Sequence, residues 1–169
     1  HAQIVALEDI GRFKELDLIA SMQPTHATSD KNMAEDRVGS QRIKGAYAWQ
    51  SFLAQGTIVA SGSDFPVESA NPFLGIYASI TRKDVQENPL NGWYPEEAMN
   101  RIQTLKSFTI DAAYAGFQEG VLGSLEPGKW ADFIIIDQDI VTAPDSTLWQ
   151  TKVLETWVAG KKVFDRSKE

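Results

Sequence analysis

The sequence has 169 residues, of which 43% are hydrophobic and 23% charged, enough for one globular domain or a domain with a small appendage. A formal net charge of −7 and the lack of any basic run argue against nucleic acid or an anionic membrane as a partner. Without cysteine the chain has no disulfide and no thiolate metal site, and no apolar stretch approaches the roughly 20 residues of a membrane-spanning helix.

The start of the chain is predicted to hold two strands, a helix and a long loop. His1 stands at the end of the first strand, and apolar residues at helical spacing then predict a helix. The apolar run at 18–23 predicts a second strand that leads directly to His26. Residues 27–44 are polar and predict a long loop, a kind of segment that is often functional in a compact domain.

A short apolar run ending in an acid is the most informative stretch of the sequence. Residues 46–55 predict a helix that ends at Gly56 in the left-handed conformation. Residues 58–60 then predict a buried strand of a parallel sheet, and the small residues after it bring Asp64 to the carboxyl end of that strand. By residue type alone, Asp64 is either a functional carboxylate or the cap of a turn.

Two longer helices are predicted after Asp64. The first opens at Pro72, since proline is favoured at the first helical position. A loop at 83–94 separates it from a helix predicted from Pro95 to Phe108, with acidic residues in its first turn. A short helix at 110–115 follows.

The chain changes character after Gly120 and becomes a β-rich tail. Strands are predicted at 133–137, 153–158 and 161–164, and a two-residue hairpin turn joins the last two. The tail's apolar side chains are predicted to be core residues. They are Ile134, Ile135, Ile136 and Trp157.

Five segments together resemble the metal-dependent amidohydrolase superfamily, and most closely the branch that contains N-substituted formamide deformylases. They are HAQ at 1–3, QPTH at 23–26, GSDFP at 62–66, GSLEPGKWADF at 123–133 and TWVAGK at 156–161. The resemblance covers nearly the whole chain. The tail motif is specific, whereas a lone histidine or aspartate would not be.

The resemblance implies an α/β fold in two parts. Residues 1–120 are expected to be the C-terminal half of a (β/α)₈ TIM-type barrel, and residues 121–169 the C-terminal strands of a small composite β-sandwich domain. A seventh barrel strand is expected between His26 and Asp64, and a degenerate segment near 37–43 is the candidate.

The resemblance also implies a metal site. His1 and His26 are expected to bind a divalent metal, with Zn²⁺ as the expected ion and one or two ions in the whole enzyme. Asp64 is expected to bind the other metal or the attacking water and to move the proton as the catalytic residue. Imidazole and carboxylate suit this chemistry, because zinc lowers the pKa of its water towards about 7 and an adjacent carboxylate accepts the proton.

Other interpretations of these residues stay open at this stage. As a first residue His1 can be frayed and without a role, and His26 can be a strand-end residue bonded to backbone. Arg42, Glu68 and Trp93 are candidates for the pocket wall, but solvation or pairing of the two charged residues and packing of Trp93 are the favoured interpretation.

The expected function is hydrolysis of a carbon–nitrogen bond other than a peptide bond, in a small amide or cyclic amide substrate. The family's remaining metal ligands would lie before His1, so the chain is expected to be the C-terminal part of a longer enzyme and inactive alone. Its expected partners are the missing N-terminal half or a second copy, because half a barrel has open sheet edges. The alternative is a non-catalytic remnant or interaction module that retains the fold.

Overall fold

The computed structural model describes residues 1–168. The helices are α1 (Leu7–Glu15), α2 (Pro24–Asp30), α3 (Ala34–Arg42), α4 (Trp49–Ala54), α5 (Pro72–Thr81), α6 (Arg101–Phe108) and α7 (Ile110–Ala115). The strands are β1 (Ala20–Met22), β2 (Val59–Ser61), β3 (Phe133–Ile136), β4 (Val153–Val158) and β5 (Lys161–Asp165). Short 3₁₀ helices lie at Ile43–Gly45, Pro95–Glu97, Asp145–Gln150 and Arg166–Lys168. Within residues 1–168, every helix is too short or too polar to cross a membrane.

A small parallel sheet organises the first part of the chain. Strand β1 pairs with β2 in parallel, in a register that runs from Ala20 opposite Val59 to Met22 opposite Ser61. The first residues of the chain lie along β1, where the Ala2 N–H donates to the Ser21 carbonyl at 2.9 Å. Because β1 and β2 are parallel, the residues that follow them meet at one edge of the sheet.

The predicted loop at 27–44 and the degenerate strand near 37–43 are both wrong. Helices α2 and α3 occupy most of this segment. A further strand is not needed there, because β1 and β2 pair with each other directly. The nearest extended backbone is Ala46, which forms an isolated antiparallel bridge with Ile4.

The core lies between the parallel strands and helices α1 and α4. Helix α4 begins at Trp49, three residues later than predicted, because Tyr47 has a positive φ of 52° and cannot belong to a helix. The predicted left-handed end at Gly56 is confirmed by its φ of 79°. The largest buried side chains of the cluster are Met22, Ile43, Tyr47, Trp49, Phe52, Val59 and Met99.

Side-chain caps fix where the later helices begin. Asn71 accepts a hydrogen bond from the Phe73 N–H and Pro72 follows it, as predicted for the start of α5. Helix α6 begins at Arg101 rather than at Pro95. Asn100 and Gln103 form a capping box there, which satisfies backbone donors at a new helix start.

The tail forms an antiparallel sheet in the order β3–β4–β5, with the predicted hairpin between β4 and β5. The prediction that its apolar residues are core is wrong. Ile134 and Ile135 are 44% and 43% exposed although they point to opposite faces, and Ile136 and Trp157 are only partly buried. Among the described residues, neither face of this sheet has a complete covering layer.

Candidate metal centre

Two imidazoles and a carboxylate converge at the carboxyl end of the parallel sheet. His1, His26 and Asp64 each place one potential ligand atom within 4.8 Å of the others. The Asp64 Oδ2 lies 3.4 Å from His1 Nε2 and 3.9 Å from His26 Nε2. Zinc ligands at 2.0–2.2 Å in tetrahedral geometry stand about 3.4 Å apart, so these separations suit a single ion.

The orientation of His1 is fixed by the residue that follows β1. Its Nδ1 lies 2.5 Å from the side-chain oxygen of Gln23, which can only accept a hydrogen bond. In the neutral ring Nδ1 therefore carries the proton, and Nε2 offers a lone pair. The ring meets that of His26 edge to face, with centroids 5.6 Å apart.

His26 lies in the first turn of α2 and is almost fully buried, with 8% of its surface exposed. Its Nε2 is also buried, and none of residues 1–168 offers this atom a hydrogen-bond partner. A buried imidazole nitrogen normally has a partner, since leaving it unsatisfied is costly. The unsatisfied nitrogen lies 3.9 Å from Asp64 Oδ2, too far for a hydrogen bond but close enough for both atoms to bind one ion.

Asp64 lies in the turn that follows β2. The Gly62 N–H donates to the Met22 carbonyl at 3.0 Å and continues the pairing with β1 past the strand. The turn is closed by the Val67 N–H, which donates to the Asp64 carbonyl at 2.8 Å. The Asp64 carboxylate is about one-third exposed and faces both imidazoles.

The charges of the cluster favour a cation at its centre. With Nδ1 of His1 protonated, the lone pair of Nε2 faces the carboxylate of Asp64 without a hydrogen between them. The lone pair and the carboxylate repel each other when nothing lies between them, whereas both are attracted to a cation placed between them. The buried Nε2 of His26 also lacks a partner, so the three side chains fit a divalent metal.

A cleft of about 340 Å³ lies beside the segments that carry His26 and Asp64, although neither these residues nor His1 line it. Thr25 and Ser29 of α2 line one side, and Glu68 lies on the turn that carries Asp64. Lys31 and Asp84 form an ion pair of 2.6 Å in the same wall. Burial raises the pKa of Asp84, but hydrogen bonds from Lys31 and from nearby backbone N–H groups outweigh it and hold the pKa below its ordinary value.

The three further pocket candidates have different positions. Glu68 lines the cleft and accepts a hydrogen bond from Ser29. The guanidinium of Arg42 instead donates to the Val38 carbonyl of its own helix. Trp93 packs edge to face against Tyr47, which agrees with a packing role.

Sequence reasoning missed one residue that contacts the cluster and one that lies beside it on α2. Gln23 orients His1, and no pattern in the sequence marks it. Asp30 lies one helical turn after His26. If residues 27–30 had been predicted as helix, the i, i+4 spacing would have placed Asp30 on the same face as His26.

Two parallel strands thus lead to imidazole and carboxylate side chains that could hold a metal ion. Comparison with known proteins identifies the class of protein. Residues 1–164 match the model of the Amidohydrolase family, and the chain belongs to that family.

Curated relatives include a plant and a bacterial protein. The chain is 35% identical to Protein LONG AFTER FAR-RED 3 of Arabidopsis thaliana. The alignment covers 97% of this chain and 28% of the plant protein. It is 30% identical to the N-substituted formamide deformylase of Arthrobacter pascens, over 70% of the chain and 21% of that protein. The chain therefore spans less than a third of the length of these relatives.

Solved structures agree with the α/β amidohydrolase fold. A metal-dependent hydrolase of Pyrococcus furiosus is 32% identical to this chain, with a TM-score of 0.71. The match covers 84% of this chain and 28% of the hydrolase chain. An adenosine deaminase of Xanthomonas campestris with bound zinc has a TM-score of 0.66. The match covers 98% of this chain and 36% of the deaminase chain. At 18% identity, the second comparison bears on the fold alone.

Proposed function

We propose that the protein to which this chain belongs is a metal-dependent hydrolase of carbon–nitrogen bonds other than peptide bonds, of the amide or cyclic amide type. The convergence of His1, His26 and Asp64, with a buried and unsatisfied imidazole nitrogen, carries the proposal. Membership of the amidohydrolase family and similarity to an N-substituted formamide deformylase support the choice of bond.

Each residue of the cluster has a distinct role in this proposal. His1 and His26 hold a divalent ion, Zn²⁺ by preference, through their Nε2 atoms. When bound, such an ion lowers the pKa of its water towards about 7 and polarises the substrate carbonyl. Asp64 completes the site through Oδ2, accepts the proton of the attacking water and delivers it to the leaving amine. The whole enzyme holds one or two such ions.

The proposal divides the chain into two parts. Residues 1–120 form the C-terminal half of a (β/α)₈ barrel, as the parallel β1–β2 pair with its following helices supports. Residues 121–169 contribute strands to a small composite β-sandwich. Three ligands cannot complete two metal sites, so a dinuclear centre takes its other ligands from the rest of the protein, and we expect the isolated chain to be inactive.

Metal analysis of the complete protein tests this function. We expect at least one tightly bound divalent ion per protein and hydrolysis of small amides that stops on chelation and returns when Zn²⁺ is added back. Absence of bound metal, or hydrolysis that chelators do not affect, would contradict the mechanism. A protein that binds no metal and hydrolyses no amide would support the alternative of a non-catalytic module.

A further inference from the structure

Tyr47 has a strained backbone that the surrounding residues hold in place. It is a buried residue with a positive φ of 52°, a conformation that costs energy for any residue with a Cβ. Its N–H donates to the Gln3 carbonyl at 2.8 Å. Its carbonyl accepts from the Trp49 N–H at 3.0 Å and from the Arg82 guanidinium at 2.9 Å. Both polar groups of the Tyr47 backbone are therefore used.

Arg82 makes this support rigid. The side chain is fully buried, and its guanidinium carbon lies 4.2 Å from the centre of the Trp49 ring and 5.3 Å from that of Trp93. It also donates to the Trp93 carbonyl at 2.7 Å. Burial lowers the pKa of Arg82 to about 10, so the group stays a cation at neutral pH. The carbonyl of Tyr47 is thus fixed by a charged donor that packing holds still.

The hydroxyl of Tyr47 completes a triangle of hydrogen bonds. It donates to the carboxylate of Asp30 and accepts from the side-chain amide of Gln3 at 2.7 Å. The same amide nitrogen donates to Asp30 Oδ2 at 2.9 Å. We call Gln3, Asp30 and Tyr47 the tyrosine triangle.

The tyrosine triangle joins the two segments that carry the histidines. Gln3 lies two residues after His1 in an extended segment, where alternate side chains share a face. Asp30 lies four residues after His26 in α2, on the same face of the helix. Each histidine therefore has a neighbour on its own element that bonds to the Tyr47 hydroxyl.

We propose that the tyrosine triangle is a positioning device for the metal centre, in which the Tyr47 hydroxyl holds the segments of His1 and His26 at the separation that binds the ion. This role rests on the proposed function. Groups that hydrogen-bond directly to a metal ligand typically change metal affinity by about 10- to 100-fold when they are removed. The tyrosine triangle acts on the ligands through the backbone of their segments, so its effect belongs at the lower end of that range. The triangle differs from a purely structural network because its loss is expected to weaken metal binding beyond its effect on folding.

Tyr47→Phe in the complete protein is the main test, because it removes only the hydroxyl. We expect the dissociation constant for Zn²⁺, measured by chelator competition well below the melting temperature, to rise about tenfold. Asp30→Asn is the second variant, for the case in which Tyr47→Phe fails to fold. It keeps the volume, removes the charge that both donors share and should change affinity in the same direction.

Thr151→Val provides a matched control. The buried hydroxyl of Thr151 also donates to one oxygen, the Leu148 carbonyl, and accepts from a glutamine amide, that of Gln138, both at 2.7 Å. Thr151 lies in the tail, away from the metal centre. Loss of its hydroxyl should therefore lower the melting temperature of the metal-free protein and leave the affinity for Zn²⁺ unchanged.

The outcomes separate this role from the proposed function. If the unmodified protein binds Zn²⁺ tightly and Tyr47→Phe binds it within twofold, the positioning role is overturned and the metal site stands. An equal loss of affinity in Thr151→Val would assign the effect to general destabilisation and also overturn the role. If the unmodified protein binds no divalent ion, the proposed function fails and the role fails with it.

Discussion

At the scale of single residues, Asp64 has a backbone conformation that few residue types accept, with a positive φ of 58°. Aspartate and asparagine enter this region more readily than other residues with a Cβ. The position of Asp64 after a strand was predictable, because an apolar run followed by small residues is a local signal. Its distance from the imidazoles was not, because that depends on the direct pairing of β1 with β2.

We expect Asp64→Asn in the complete enzyme to lower turnover by roughly 10²–10⁴-fold, the usual effect of losing a general base. Bound metal should decrease as well, because the amide carries no charge. The melting temperature of the metal-free protein should change little, since asparagine tolerates the same backbone. Turnover, metal content and melting temperature are measured on the same preparation.

Asp17→Asn is the control for this substitution. Asp17 is exposed and also has a positive φ, of 50°, but it lies in the turn after α1. The control should keep both turnover and metal. Near-normal turnover in Asp64→Asn would remove this residue from the catalytic site.

At the scale of elements, local patterns predicted the helices with an apolar face and missed those without one. Helices α2 and α3 are rich in polar residues, so hydrophobic periodicity gave no signal. Helix α2 forms because Pro24 starts it directly after β1 and because it buries His26 and Ala27. These are tertiary causes, and they explain why the helix that carries a metal-ligating candidate was predicted as a loop.

Gly45 sets how closely the segment before α4 approaches the segment that carries His1. A Cβ on Gly45 would lie 1.9 Å from the Val5 carbonyl oxygen. This oxygen is backbone and cannot rotate away, so we expect Gly45→Ala to lower the free energy of unfolding by about 1–3 kcal/mol or more. Urea unfolding measures the change.

Gly120→Ala serves as the comparison, since a Cβ there meets no atom within 4 Å. This variant should be neutral or slightly stabilising, because alanine restricts the unfolded chain. Equal urea midpoints for the two alanine variants would show that the close approach at Gly45 does not limit packing.

At the scale of the whole molecule, the chain exposes large apolar side chains of a kind that folded proteins usually bury. Phe117 is 90% exposed, Leu125 76% and Val163 62%. Sequence predicted burial for the tail because β3 is apolar on both faces and β4 alternates, but burial needs a second layer that residues 1–168 do not provide. Local sequence shows that a face is apolar and cannot show what covers it.

We propose that the isolated chain associates with a second copy or with the remaining part of the longer protein. The incompletely paired edges of the two-stranded β1–β2 sheet and the exposed apolar residues both favour association in water. Light scattering of residues 1–169 at micromolar concentration should give a mass above that of one chain and fall on dilution. A single species of 18.7 kDa across the dilution series would contradict the proposal.

The three groups of the candidate metal centre come from segments far apart in sequence, so the unfolded chain does not offer them together. An ion held by all three closes two long loops at once and acts as a reversible cross-link. By mass action, an ion at 100 times its dissociation constant adds about 2.7 kcal/mol to the free energy of unfolding. The melting temperature is then a joint property of the chain and the free metal concentration, and variants are comparable only when that concentration is held constant.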